Sequence, residues 1–236
     1  MSQPVLALYS VGRTSALCLD IGHTLTTAVP VYEGYPLTGC PSLLTSPLSG
    51  SQLDELLKKL NPNLVGLDSV AMAAIKKQFC QVAENGPTLI AQDETSDFIL
   101  PDESKVTVGN EARRATECFF TPHYFGVKSP GCHELIYNSL HKVDPDGHQE
   151  IIECVLPIGG TTMIPGFAKR LELELLGLLD YDFKVTNPKV AEEKEHAVWI
   201  GGSIVAELTT FEEMWIFRSE YGEDGAERMA KKKLLF

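Results

Sequence analysis

The sequence has no apolar run long enough to cross a membrane; its longest, around residues 5–9 and 175–179, stop far short of a span. No basic segment followed by an apolar stretch opens it, so no secretory leader is predicted. Positive charge is scarce. Twenty Lys and Arg face 32 Asp and Glu, for a net charge of −12. That balance argues against non-specific binding to nucleic acid or to an anionic membrane surface. None of the six cysteines pairs in a CxxC spacing, and the six histidines show neither HExxH nor H-x3-H, so no metal site is expected. Cysteines scattered through a long chain without a leader read as reduced thiols of a cytoplasmic protein. A GK[ST] phosphate loop and a GxGxxG turn are both missing. There is no internal repeat and no low-complexity segment.

What is present is ordinary globular material. The 236 residues are 44% hydrophobic and 22% charged, enough for one large domain or two small ones with a proper core. Residues 2–11 read as a helix with Ser2 as cap, Pro4 in the first turn and Gly12 as stop. Residues 15–20 and 26–32 form a hairpin about Gly22, with a third strand at 35–38. Pro30 is expected to make its strand an edge or to bulge it. A helix is predicted at 51–60, with Leu53, Leu56, Leu57 and Leu60 on its buried face. Another is predicted at 68–83, burying Val70, Ala74, Phe79 and Val82. Residues 92–98 read as a loop and 100–111 as a hairpin leading into a helix. A helix at 131–142, a buried strand at 150–158 and a helix at 165–178 follow. Short strands are expected at 183–186 and 198–201, and helix from 203 to 221. This mixture of hairpins and strand–loop–helix units predicts an α/β fold.

Two segments have the form of phosphate-facing turns. One is Asp20-Ile21-Gly22-His23-Thr24, where a hairpin turn presents backbone N–H groups and Asp20 would hold a metal through water. The other is Gly159-Gly160-Thr161-Thr162-Met163-Ile164-Pro165-Gly166, a glycine turn between a strand and a helix start that favours an anion. Each also has a plain reading, as a turn that needs glycine.

In combination these segments resemble the actin family. Asp20-Ile21-Gly22 followed by VPVYEGYPL (29–37) is similar to the second phosphate loop of actins and its next strand. LPDESKVTVGNE (100–111), IGGTTMIPGFAKRL (158–171) and VWIGGSIVAELTTFEEMWIFRSEY (198–221) are similar to later actin segments, and the agreement runs from Gln3 to Phe236. The resemblance is to short, divergent members of the germ-cell type, and it covers about the C-terminal three-fifths of an actin. It implies an actin-like ATPase (ribonuclease H-like) fold, second half only. Residues 1–197 would form that half, with a helical insertion at about 45–130, and 198–236 would form helices that in actins return to the first half. The first phosphate loop, with its lysine and aspartate, is expected to be absent.

The resemblance also implies a nucleotide site in remnant form. Gln3 matches the glutamine that orients the attacking water. Asp20 and Gly22 match the second phosphate loop, Lys76 a nucleotide-contacting lysine, and Gly159, Gly160 and Met163 the adenosine loop. His23, however, replaces that phosphate loop's second aspartate, and Thr27 a water-contacting histidine. Ala73 and Lys77 replace an arginine and the ribose-binding glutamate, Ile164 a tyrosine beside adenine, and Glu195 stands for a lysine. With so many nucleotide-binding side chains replaced, no catalytic residue, no metal and no cofactor are expected; the alternative is Mg-ATP. Tyr9, Gly12, Thr14, Val205, Leu208, Thr210 and Met214 match the apolar cleft in which actins hold partners, and they equally suit simple packing of the chain's own helices. The expected function is that of a non-enzymatic, cytoskeleton-associated cytoplasmic protein acting through protein contacts. Its partners would be actin-binding-type proteins or other actin-like proteins, within an obligate hetero-complex, with no nucleic acid and no membrane. The alternative is an ATP-binding, filament-forming homologue completed by a longer isoform or by a partner chain. The apolar residues around Trp199 and Trp215 are expected to need cover.

Overall fold

Residues 16–21 read ALCLDI, apolar on both alternations up to Asp20, which is the pattern of a strand covered on both faces. The computed structural model, which describes residues 1–37, 44–86, 95–101, 103–186 and 193–233, shows this arrangement. After α1 (Gln3–Ser10), the strand β1 (Ala16–Ile21) lies inside a mixed sheet. It pairs antiparallel with β2 (Thr26–Tyr32), which carries both β3 (Tyr35–Pro36) and β4 (Leu44–Ser46) on its outer flank. On its other side β1 runs parallel to β7 (Cys154–Ile158), and β7 runs parallel to β8 (Lys184–Val185).

Alternation sorts the strand residues onto two faces. Leu17, Leu19, Ile21, Ala28 and Val155 face a large core filled from α2 (Gly50–Leu60), α3 (Ser69–Phe79), α4 (Glu111–Thr116), α5 (Cys132–Leu140), α6 (His148–Ile152) and α7 (Phe167–Leu176). Ala16, Cys18, Val29, Val31, Cys154, Leu156 and Ile158 face a smaller core closed by α1 and α8 (Glu193–Ala206). The sheet is thus a middle layer between helices. A separate hairpin of β5 (Ser96–Ile99) and β6 (Lys105–Val108) lies apart from it, and the chain continues through α9 (Arg218–Lys233), kinked at Gly225. No helix among the described residues is long and apolar enough to cross a membrane.

α1 and α8 meet at glycine. A Cβ built on Gly201 would collide with the Leu6 carbonyl oxygen, so the two backbones touch where a side chain has no room. The larger core holds a buried ion pair: the Arg170 guanidinium donates to both Glu117 carboxylate oxygens (3.1 and 3.2 Å), to Glu174 at 2.6 Å and to the Ala83 carbonyl at 2.7 Å. It also stacks over Phe120. The described cysteines, Cys18, Cys80, Cys118, Cys132 and Cys154, are free thiols in the interior. Burial raises the pKa of each, Cys80 to about 12.

Several expectations are corrected. Residues 198–201 are not a strand but part of α8. The hairpin begins at Ser96, inside the stretch read as a loop. Residues 148–152 are the helix α6, so the buried strand starts only at Cys154. α3 ends at Phe79 because residues 80–83 extend instead, Val82 N–H donating to the Pro165 carbonyl at 2.8 Å. Its buried face is Met72 and Ile75, leaving Val70 exposed, and Leu60 lies at the exposed end of α2. Pro30 neither bulges nor edges its strand. It stands in register opposite Leu17, where the outer flank of β2 passes from β4 to β3, so its missing N–H interrupts no ladder. Ser2 occupies the cap position of α1 without a side-chain capping bond. The expected helix of 203–221 is broken: α8 stops at Ala206, a short turn covers Phe211–Met214, and α9 starts at Arg218. Of the third strand expected at 35–38, residue 38 lies outside the described residues.

Candidate functional site

Because β1 and β7 are parallel neighbours with Asp20 opposite Ile158, they deliver their following turns to the same edge of the sheet. Ligands of open α/β sheets bind in crevices beyond the carboxyl ends of such strands. Here a cavity of about 560 Å³ opens, walled by Gly22 and His23, by Gly160, Thr161, Met163, Ile164 and Pro165, by the first turn of α2, by Ala73, Lys76 and Lys77 of α3, and by Glu195 of α8. That volume is within the range of small-molecule sites. A second hollow of about 400 Å³ flanks the start of α7, with Glu84 and Glu172 beside Lys169.

Of the residues singled out in the sequence, Gly22, Lys76, Gly160 and Met163 line the larger cavity. Asp20 and Gly159 lie next to it. Gly159 has φ +89°, and a Cβ there would sit 2.5 Å from the Ile21 carbonyl oxygen and 2.7 Å from Asp20 Oδ1. The glycine lets the β7 turn press onto the end of β1 and partly cover the Asp20 carboxyl. Burial raises the pKa of Asp20 from its usual 3.8. Gln3 is exposed in the first turn of α1 and is not part of the cavity wall. Thr27 pairs with Asp20 across the β1–β2 ladder. The replacements His23, Ala73, Lys77, Ile164 and Glu195 all line the cavity.

The polar groups at this edge are largely turned on each other. Lys76 Nζ is 2.8 Å from Asp54 Oδ1 and donates to the Gly50 carbonyl at 3.1 Å. The Gly50 and Ser51 N–H groups, which open α2, donate to the Gly22 and His23 carbonyls at 3.0 and 2.7 Å. Ser49 Oγ accepts from Gln52 N–H. In the other turn, Thr162 donates through both its hydroxyl and its N–H to the Gly159 carbonyl. Leu53, Ala73, Met163, Ile164 and Pro165 supply an apolar lining.

The expected partner cleft divides in two. At the end of α1, Gly12 takes φ +68°; its N–H donates to Tyr9 O and that of Arg13 to Leu8 O. This 5→2 and 6→1 pair is a Schellman closure, so Gly12 is needed by the helix end itself. Thr14 is exposed and its carbonyl accepts from Gly34. Tyr9 is half-buried and Val205 is 3% exposed, so both pack inward. Leu208, Thr210 and Met214 face solvent. Around them stand further exposed apolar side chains: Trp199 (81% exposed), Trp215, Ile216, Phe217 and Tyr221. Trp215 meets Phe211 edge to face, with ring centroids 5.9 Å apart, and lies tilted against Phe217 at 6.3 Å.

Sequence reading passed over two residues that shape these sites. Asp54 carries no motif, being one of many carboxylates on a helix face. Gly201 did leave a signal, a Gly-Gly pair inside an apolar stretch, which at helical spacing marks a close crossing. A family model described as Actin matches residues 1–66 and 66–234. That match covers nearly the whole chain, and with the mixed sheet layered between helices it makes this protein a member of the actin family with an actin-like α/β fold.

Proposed function

We propose that this chain is a non-enzymatic actin-family protein that works through protein contacts and associates with the cytoskeleton, its nucleotide site being a remnant. The observation that carries this reading is the exposed apolar run from Trp199 to Tyr221, with Leu208 and Met214 within it. Apolar surface gathered in this way is characteristic of an interface. Two flexible or branched apolar side chains beside aromatic rings suit the apolar face of an amphipathic helix.

The cavity supports the second half of the proposal. A triphosphate with its magnesium needs cations and free backbone donors around the phosphates. Lys76 is already paired, and the first N–H groups of α2 are given to loop carbonyls. Asp20 lies partly covered beneath Gly159, whose turn presses onto the end of β1, and burial raises its pKa. These residues do not fit a bound Mg-ATP, and Gln3 stands outside the cavity wall from which a water would have to be directed.

The test is a titration with a fluorescent amphipathic helical peptide beside a thermal melt in millimolar Mg-ATP. Micromolar peptide binding is expected, weakened at least tenfold by Met214→Glu or Leu208→Asp. The melting temperature is expected to be the same with and without Mg-ATP; ligand at a hundred times its Kd would add about 2.7 kcal/mol, a shift of several degrees. Peptide binding that ignores both substitutions, or a several-degree shift that disappears in Asp20→Ala, would refute the proposal.

A further inference from the structure

We propose that the open edge of β5 joins two copies of this chain, β5 pairing antiparallel with β5 of the second copy so that the two hairpins become one continuous sheet. Among the described residues, β5 and β6 make a sheet of their own. Ser96 stands opposite Val108 and Phe98 opposite Val106, and in the next such pair the Leu100 N–H donates to the Ser104 carbonyl at 2.9 Å. Hydrogen-bonded and non-hydrogen-bonded pairs alternate along an antiparallel ladder, so the backbone groups of Asp97, Ile99, Lys105 and Thr107 turn outward, away from the facing strand. On β6 that outer side is covered: the Asn61 amide donates to the Thr107 carbonyl at 2.9 Å, and the Gly109 N–H donates to Glu111 Oε1 at 2.8 Å. On β5 the outward N–H and C=O groups of Asp97 and Ile99 meet no strand among the described residues. An edge of this kind is a template for another strand.

The strand that fits is its own copy. With a two-fold axis at Phe98, Asp97 faces Ile99 of the second copy and Ile99 faces its Asp97. Each pair exchanges both backbone bonds, so no outward group of β5 is left over. Charge is matched as well. Across the joined sheet, each outer-face row runs Lys105, Ile99 and then Asp97 and Thr107 of the second copy, so it carries one cation and one anion about an isoleucine that is 63% exposed in the single chain. On the inner face Phe98, half-buried and edge to face with Phe79, meets Phe98 of the second copy at the close spacing of a non-hydrogen-bonded pair. Pro101, which has no N–H to leave unpaired, ends the edge. A contact this narrow is smaller than a standard interface, and each copy carries a net charge of −12, so a micromolar dimer is expected, tightening as salt screens the repulsion.

Sedimentation velocity of the full chain, from micromolar to several hundred micromolar, tests this, with amide exchange of residues 95–101 followed by mass spectrometry. Dimer should appear as concentration rises, and exchange in that segment should slow at least threefold. Ile99→Pro removes an outward N–H and no bond of the hairpin ladder, so it should melt within a few degrees of wild type and stay monomeric. Ile99→Thr, which keeps the N–H, should still associate. Asp97→Lys, although it lowers the net repulsion, should weaken the dimer at least tenfold by setting like charges in each row. Asp97→Lys/Lys105→Glu, which restores opposite charges, should return it to within threefold of wild type. If Ile99→Pro does not fold, this charge reversal decides the question. A wild-type chain that stays monomeric throughout would overturn the inference, as would association that persists in Ile99→Pro or that ignores the charge reversal. Association lost in Met214→Glu but kept in Ile99→Pro would place the contact on the apolar run instead, overturning this inference and leaving the proposed function standing.

Discussion

Asp20 is the residue at which acidity should register most directly. Burial raises its pKa above 3.8, the value expected of it in the unfolded chain. Between the two values the folded state holds the proton more firmly, so this group's contribution to stability falls as pH rises through that window. Above the folded pKa the penalty is complete; below 3.8 it is gone. Asp20→Asn should therefore melt higher relative to wild type at pH 7 than at pH 3.5, and paired melts across that range would measure the difference. A difference independent of pH would mean that Asp20 is not desolvated. Its neighbour Gly159 shows what a sequence can and cannot reveal. The Gly159-Gly160 pair pointed to a turn and to a close approach, and the approach exists. What approaches, however, is the chain's own β1 end: a Cβ on Gly159 would stand 2.5 Å from Ile21 O. A glycine motif announces missing side chains without saying whether a ligand or a backbone fills the space. Lys76 teaches the same lesson. Its position at the cavity was legible, but its pairing depended on Asp54, 22 positions earlier on another helix, and no spacing rule links the two.

Between elements, the contact of α1 with α8 is the most exacting in the fold. Gly201→Ala would drive a methyl into Leu6 O, and overpacking of this kind costs about 1–3 kcal/mol or more where backbone must move. Gly202→Ala meets only Leu6 Cδ1 at 4.0 Å and should be neutral or gain up to about 1 kcal/mol from helix propensity. Chemical denaturation of the two variants should separate them clearly. In the other core, Glu117→Gln would leave Arg170 short of its buried counter-charge; breaking such a pair costs about 3–5 kcal/mol. The same unfolding experiment checks it, and a loss under about 1 kcal/mol, the scale of a surface pair, would place the weight on Glu174 and Ala83 instead. Elements with a strong period, α2 and α7, could be read from the sequence because one apolar stripe fixes a helix. α8 could not: 198–201 is apolar in every position, and a short continuous run suits a strand as well as a helix. Only packing against α1 decides it. β5 was missed for the opposite reason, being polar and mostly exposed, so no burial pattern marks it.

For the whole molecule, the two apolar layers differ in how they are closed. The larger core is sealed by α2 to α7 and pinned by the Arg170 ion pair. The smaller one depends on α1 and α8, and α8 presents Trp199 to solvent on its far side. A partner seated on that exposed run should stabilise the chain and make its melting temperature depend on partner concentration. Titrating the amphipathic peptide during thermal melts should raise the transition progressively; a transition fixed at all concentrations would disconnect the apolar run from folding. The same asymmetry suggests that the α1–α8 layer opens before the rest.

The interior thiols turn that asymmetry into a pair of reporters. Cys18 and Cys154 belong to the layer beneath α1 and α8, whereas Cys80, Cys118 and Cys132 belong to the other. Each is nearly inert toward alkylating reagents while covered, because the thiolate is the reactive species and burial disfavours it. The rate at which each becomes modified is then a clock for the opening of its own layer, readable by mass spectrometry peptide by peptide without introducing any probe. In Gly201→Ala the Cys18 and Cys154 clocks should run fast while the other three keep wild-type time.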